Sequence, residues 1–443
     1  MGGDSEMNSI PKGYKKTEVG VIPEEWCVKK LGEVCKILRG GSPRPIEDYL
    51  TTSPSGINWI KIGDVSSDSK YITYTEEKII PEGASYSRNV YPGDFLLSNS
   101  MSYGRPYILN IEGCIHDGWL VLQEFFRFFE SDFLYYGLSS AIILKQYEMK
   151  AAGSSVHNLN KDLVSDVIAV IPPLPEQKAI AEVLSDMDAL IEAQKELIAK
   201  KRDIKQGAMQ ELLSGRMRLP GYETKGWKHT DIGDIPDDWD VKKLGEEGVF
   251  LTTSSYTRSE LREYGDVACL HYGDIHTRFH TWLDCSSTEL PMISRDMVKQ
   301  YPYLKNGDLV IADASEDYEG LGDCVEICNI DSRLCIGGLH TIVYRAKPGL
   351  FAPSYIGLLR NLQVVKNQLV SQAVGTKVYS LTNSMIGSIL VPVPFLLPEQ
   401  QAIAEVLSDM EDEIENLEAE LKKLNHMKRG MMQELLTGRI RLI

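Results

Sequence analysis

Two stretches of the chain repeat apolar residues every seven positions. In residues 398–435 one row holds Ile403, Met410, Leu417, Leu424 and Met431, and a second holds Leu407, Ile414, Leu421 and Leu435. In residues 175–213 the rows are Val183, Leu190, Leu197 and Ile204, beside Leu184, Ile191, Ile198 and Leu212. Ile180 and Met187 belong to the same apolar faces of the first stretch. A heptad period held over about five repeats, with charged faces between, predicts a coiled coil rather than two amphipathic helices packed each on its own domain. Pro175-Glu176 and Pro398-Glu399 read as helix starts, with proline first and an acid in the opening turn. Gly215 and Gly438 read as left-handed C-caps. The 38 residues from Glu176 to Leu213 would span roughly 57 Å of helix.

The stretches before these helices show a different pattern. Residues 57–64 (INWIKIGD) and 308–312 (DLVIA) have strand character, and Gly, Pro, Asn and Ser punctuate at short intervals. Mixed strand-and-loop bodies with a few helices are expected at about 34–174 and 247–397.

The chain is an internal duplication. Residues 175–219 and 398–442 align without a gap at an offset of 223, with 26 of 45 positions identical. Residues 14–33 return at 227–246, where Gly20, Ile22, Pro23, Trp26 and Val28 to Glu33 match Gly233, Ile235, Pro236, Trp239 and Val241 to Glu246. The bodies between share only punctuation, such as Gly63-Asp64 with Gly273-Asp274 and Gly93-Asp94 with Gly307-Asp308. The expected fold is mixed α+β: two globular α/β domains, separated by two long antiparallel coiled-coil helices, in a pseudo-two-fold duplication. The divisions are a first domain at 13–174, a helix at 175–219, a second domain at 220–397 and a helix at 398–443. Along the second helix, 411–420 carries six acids and 422–429 four bases, so antiparallel pairing would bring opposite charges together.

Composition narrows the class. The 443 residues are 43% hydrophobic and 25% charged, ordinary for globular domains. No uncharged apolar run reaches 18 residues, so a cytoplasmic protein with no membrane contact is expected. The eight cysteines lack paired close spacings and read as reduced thiols. His276, His280 and Cys285, and Cys324, Cys328 and Cys335, lack the spacing of a structural zinc site, and no metal is expected. Neither a phosphate-binding loop nor an amino-methyltransferase motif is present, so no catalytic residue is assigned. The net charge of −16, divided as −5 over residues 1–220 and −11 over 221–443, weighs against a free-standing nucleic-acid binder but leaves local basic loops open.

Those loops are the candidate recognition elements. In the first body they contain Arg39, Ser42 and Arg44; Ser100, Tyr103 and Arg105; and His157 and Asn158. In the second they contain Tyr256 and Arg258, and Thr376, Lys377 and Tyr379, beside a less convincing acidic stretch from Asp313 to Gly320. Arginine reads guanine edges, amides read adenine, and hydroxyls position phosphates; ordinary solvated turns have the same composition.

Two bodies that end in IPPLPEQ and VPVPFLLPEQ, run into AIAEVLSDM helices and close with QELL(S/T)GRxRL closely resemble the specificity subunit of type I restriction–modification systems. The resemblance covers the chain from about residue 13. It implies two target-recognition domains that each read half of a split double-stranded DNA sequence. The helices would form the spacer and dock two methyltransferase subunits and the restriction subunits, with Ile180, Met187, Leu190, Leu197, Ile204, Ile403, Met410, Leu417, Leu424 and Met431 as docking positions. It also implies no cofactor in this chain, with S-adenosylmethionine, ATP and Mg supplied through the partners. The competing reading is a coiled-coil adaptor that binds proteins and no DNA.

Overall fold

The computed structural model describes residues 10–66, 69–99, 104–151, 159–279 and 281–442. It divides into two compact units, one of Met1–Lys195 with Ala419–Ile443 and the other of Glu196–Glu418. The long helices, Leu174–Leu213 and Leu397–Leu435, each contribute to both units. Every unit therefore contains the first part of one helix and the last part of the other.

In the first unit a five-stranded sheet runs in the order Lys36–Arg39, Trp119–Gln123, Phe95–Ser98, Pro106–Leu109, Tyr71–Ile72. Its central strands are buried on both faces, which explains their unbroken apolar runs. Side chains alternate along a strand. Phe95, Leu97, Leu120 and Leu122 accordingly enter the core beneath the long helices, and Leu96, Trp119 and Val121 enter a second core on the other face. The second unit repeats the sheet with Gly248–Leu251, Thr341–Ala346, Leu309–Ala312, Cys324–Cys328 and Thr281–Asp284. There Leu309, Ile311, Ile342 and Tyr344 face the helix side, and Val310, Ala312 and Val343 face away. In both sheets the last strand pairs in parallel and the others antiparallel.

Shared details extend into the bodies. Gly93 and Gly307 have φ of +93° and +84°, and the aspartates after them fold back to accept from Tyr91 N and Lys305 N at 2.9 and 2.8 Å. Gln146 and Gln368 clamp the strands Ile168–Ile171 and Leu390–Pro394 by exchanging two hydrogen bonds with Ile168 and with Leu390.

The start of each long helix is a buried polar node. Both helices open one residue before the proline, at Leu174 and Leu397. Gln177 donates to the carbonyls of Phe128 and Pro172, and Gln400 to those of Leu350 and Pro394. Glu176, fully buried, accepts from the indole of Trp26 at 2.8 Å and pairs with Arg441 through both carboxylate oxygens. In the second unit Glu399 pairs with Arg218 at 2.6 and 2.9 Å, Arg218 also reaches Asp238 at 2.9 Å, and its guanidinium lies over Trp239. The acid expected to complement a helix dipole is thus half of an internal ion pair. Gly438 and Gly215 are left-handed C-caps, φ +70° and +73°, and a Cβ on either would sit within 2.7 Å of Pro23 or Pro236.

The helices pair antiparallel within each unit. Asp188 meets Lys428 in the first, and Lys201 meets Glu413 while Lys205 meets Glu411 in the second. The structure distinguishes the two apolar rows of the first helix. Leu190, Leu197 and Ile204 are 50%, 38% and 47% exposed, whereas Leu184, Ile191 and Ile198 are buried. Two heptad rows one residue apart lie about 100° apart on a helix, and only the packed surface chooses between them. Val183 keeps a partial contact with the first core. In the second helix Ile403, Leu407, Ile414 and Leu424 are buried.

The node generates a prediction about stability. Burial lifts the Glu399 carboxyl above the usual glutamate range, with the Arg218 hydrogen bond opposing it. Arg218→Ala should cost about 3–5 kcal/mol at neutral pH, because a buried charge loses its partner. A carboxyl whose folded pKa is raised stabilises at low pH and loses that contribution as pH rises through the raised value. Part of the deficit should therefore return on acidification, read from urea midpoints of variant and wild type at several pH values. A deficit that does not change with pH would contradict this.

Candidate nucleic-acid interface

In the first unit the strand Lys36–Arg39 ends in Gly40-Gly41-Ser42-Pro43-Arg44. A Cβ on Gly40 would lie 2.1 Å from the carbonyl oxygen of His116, so only glycine allows this loop against the His116–Gly118 turn. Asp117 gathers the loop. Its carboxylate accepts from Ser42 Oγ at 3.0 Å and Arg44 Nη2 at 3.2 Å, and its carbonyl accepts from Arg39 Nε at 3.2 Å and Asn99 Nδ2 at 3.1 Å. His116 Nε2 lies 3.0 Å from the same carboxylate. Burial alone would raise the Asp117 carboxyl, but Ser42, His116, Arg44 and Arg39 together hold it below the usual aspartate value. The structure thus brings Arg39, Ser42 and Arg44 together, and the Arg44 side chain stays 80% exposed.

Arg105 stands apart from this cluster, with its guanidinium 5.8 Å from the centre of the Tyr107 ring. Ser100, Tyr103, His157 and Asn158 lie outside the described residues.

In the second unit the early loop is organised differently. Tyr256 donates to the Met297 carbonyl at 2.9 Å, and Arg258 pairs with the buried carboxylate of Asp274 at 2.7 Å. The other oxygen of Asp274 meets Arg278 at 3.3 Å. Thr376 and Lys377 are exposed on the turn after Gly375, while Tyr379 stacks on Tyr318 with ring centres 4.1 Å apart. No hydrogen bond, ion pair or ring contact joins the Tyr256–Arg258 segment to the 376–379 segment among the described residues.

The acidic stretch of the second body forms its own groove. Asp323 holds His276 at 2.9 Å and Arg360 at 2.8 Å, and Asp313 holds His340 at 3.1 Å. The Asp323 hydrogen bond, foremost, raises the His276 pKa.

Sequence reasoning missed Asp117 as the partner of Ser42 and Arg44, and Arg278 as the second arginine on Asp274. It singled out Gly273-Asp274 only as punctuation; the pairing of that aspartate with Arg258 spans 16 residues. Among the described residues no group of three or more His, Cys, Asp or Glu side chains is placed to hold a metal ion, and no helix is long and apolar enough to cross a membrane.

Two bodies of one topology, each presenting arginines fixed by an aspartate and each tied to a repeated helix, define a duplicated recognition protein. Residues 23–200 and 236–426 match the type I restriction modification DNA specificity domain, and the chain belongs to that family. It is 26% identical over 434 residues to the type I restriction enzyme MjaVIII specificity subunit of Methanocaldococcus jannaschii, covering 95% of this chain and 94% of that one. It is 28% identical to the putative MjaX specificity subunit of the same organism, covering 97% of both. A solved chain from work on complex assembly and conformational transition of the type I R-M system shares the fold, with a TM-score of 0.60 at 17% identity, covering 95% of this chain and 99% of that chain.

The Asp117 brace makes a measurable claim. A carboxyl held below its ordinary value contributes stability that is present above the unfolded value and lost as pH falls through the folded one. Carbon-13 titration of Asp117 should give a midpoint below the usual aspartate range, and Arg44 should be released over the same pH interval. Asp117→Asn should change global stability by less than about 1 kcal/mol, since Arg44 is mostly solvated. An ordinary titration midpoint would show that the loop is not braced in solution.

Proposed function

We propose that each unit reads one part of a bipartite double-stranded DNA target, and that the chain confers this specificity on methyltransferase and restriction subunits without carrying out chemistry itself. The observation that carries the reading is the duplication of closely similar frames around dissimilar bodies. The tryptophan, glutamate and arginine of the node, the glutamine clamps and the C-caps recur at matching positions, although the Trp26 indole donates to Glu176 whereas Trp239 meets the node through the Arg218 guanidinium over its ring. The loops they support do not: an Asp117 brace over Gly-Gly-Ser-Pro in one unit is replaced by an Asp274 fork in the other. Constant frames with differing exposed loops serve two specificities on one plan.

The partners would use the repeated part. In the second unit Leu197 and Ile204, seven residues apart, leave apolar side chains in solvent on the last part of the first long helix, which offers a partner helix an apolar face with heptad spacing; Leu190 is likewise exposed in the first unit. Two methyltransferase subunits and the restriction subunits are the partners proposed, and S-adenosylmethionine, ATP and Mg would act within them. With a net charge of −16 on this chain, such partners would have to supply much of the positive field that DNA binding needs.

Methylome sequencing of a host expressing the system tests the division of labour. Arg44→Ala or Arg105→Ala should weaken or relax only the part read by the first unit. A base-edge arginine would cost roughly 1–3 kcal/mol at one position, and a phosphate contact would lower affinity for all sequences and flatten the salt dependence. Relaxation confined to the other part would reverse the assignment, and an unchanged methylome with both variants would remove these arginines from the DNA surface.

A further inference from the structure

The second body is the more acidic half, yet it gathers four arginines on one open cleft. Arg258, Arg262, Arg278 and Arg333 line a space of about 1060 Å³, with Tyr264 and Glu289 also on its wall. They come from positions spread over 75 residues and are joined by the fold. Arg262 N donates to the Met292 carbonyl and Met292 N to the Arg262 carbonyl, so the loop after the early segment becomes an edge beside Met292–Ile293. Arg278 closes the short helix Tyr272–Thr277.

The four differ in how they are held. Arg258 and Arg278 take opposite oxygens of Asp274, which is 3% exposed, so one buried carboxylate sets two guanidinium groups side by side. Both keep about half of their side-chain surface in solvent, 55% and 42%. Arg278 is further fixed by donating to the Glu289 carbonyl at 3.0 Å and by lying 4.9 Å from the centre of the Phe279 ring. Arg333 is committed to the carbonyls of Cys285 and Thr288 at 2.7 and 2.6 Å. Arg262 makes no side-chain hydrogen bond or ion pair among the described residues. Tyr264, 77% exposed, offers an aromatic face at the same wall.

We propose that this cleft is the DNA-binding site of the second unit, in which the Asp274-oriented pair Arg258 and Arg278 reads base edges and Arg262 neutralises a backbone phosphate. The inference rests on the reading of the chain as a DNA specificity protein and adds the site. A guanidinium fixed by a buried acid is pre-organised to donate in one plane, as reading a guanine edge requires. An exposed arginine beside it, with no side-chain hydrogen bond or ion pair among the described residues, suits a phosphate, where charge matters more than direction. The acidic stretch with Glu316, Asp317 and Glu319 lies along the separate groove of His276 and Asp323, while Glu263 and Glu289 stand on the wall of the arginine cleft, where four arginines outnumber them. Asp274 acts as a positioning residue, since it works through the arginines.

The test uses the full chain assembled with its methyltransferase subunits and a pool of random-sequence duplex DNA, from which bound sequences are recovered at two salt concentrations. Arg258→Ala and Arg278→Ala should each erase preference in one part of the recovered motif and leave the other part intact. Arg262→Ala should lower affinity for every sequence and reduce the salt slope by about one. Asp274→Asn should relax the same part as the arginine variants; should it misfold, the exposed Arg262 and Arg258 variants still decide the matter. Wild-type motif and affinity in all three arginine variants would overturn the cleft while leaving the DNA reading in place. Failure of the wild-type assembly to recover any motif would overturn both.

Discussion

A glutamate removed from water must find a partner that compensates its lost hydration, and that requirement organises each unit. In the first, Trp26 from the lead-in, Glu176 from the start of one long helix and Arg441 from beyond the end of the other meet at one point. In the second, Trp239, Glu399 and Arg218 do the same. Each pair stacks its guanidinium on the indole and extends to a more exposed acid, Glu25 or Asp238. Removing one member strands a charge in a place that cannot hydrate it, so the three segments are held as a set. The body hangs from that set through the glutamine that follows the glutamate, which grips carbonyls on the chain entering the helix and on a neighbouring body segment. Each unit thus meets the same buried electrostatic demand at the start of a long helix.

What could be read in the sequence follows from how local each signal is. The long helices, their glycine caps and their antiparallel charge pattern depend on spacings within one segment, and Gly215, Gly438, Lys201 and Glu413 occupy the places those spacings imply. The choice between Leu190 and Ile191 as the buried row does not, because adjacent heptad rows are equally periodic and only the surface beneath selects one. The loop residues show the same divide. Arg39, Ser42 and Arg44 stand together in the chain and were visible as a group. Asp117, 73 residues from Arg44, looks like any turn aspartate until the sheet places its turn beside the loop. The arginine cleft is the extreme case, since Arg262 and Arg333 converge only through pairings on either side of Met292. The PEQ string was legible as a helix start, but the pairing of its acid with an arginine 265 residues away was not.

The charge distribution also changes meaning once folded. A net −16 argued against nucleic acid when treated as a property of the whole chain. In the second unit, however, aspartates such as Asp274 and Asp308 are buried against arginines that they orient. Others, including Asp313 and Asp323, are occupied by histidines on the acidic groove. Several acids therefore act as anchors for cations rather than as free surface charge. Variation of the loops can then alter what those cations meet while the frame keeps its own ion pairs.

The central claim is that frame and specificity are separable because the node and the apolar seat beneath the helices recur in both units while the exposed loops differ. The direct measurement is an exchange. The body between residues 247 and 389 is replaced by the corresponding segment of the MjaVIII relative, leaving Trp239, Glu399 and Arg218 in place, and the methylated sequence is read by methylome sequencing. The account predicts a folded chain whose target changes in one part and keeps the other part unchanged. A target altered in both parts, or in neither, would contradict it.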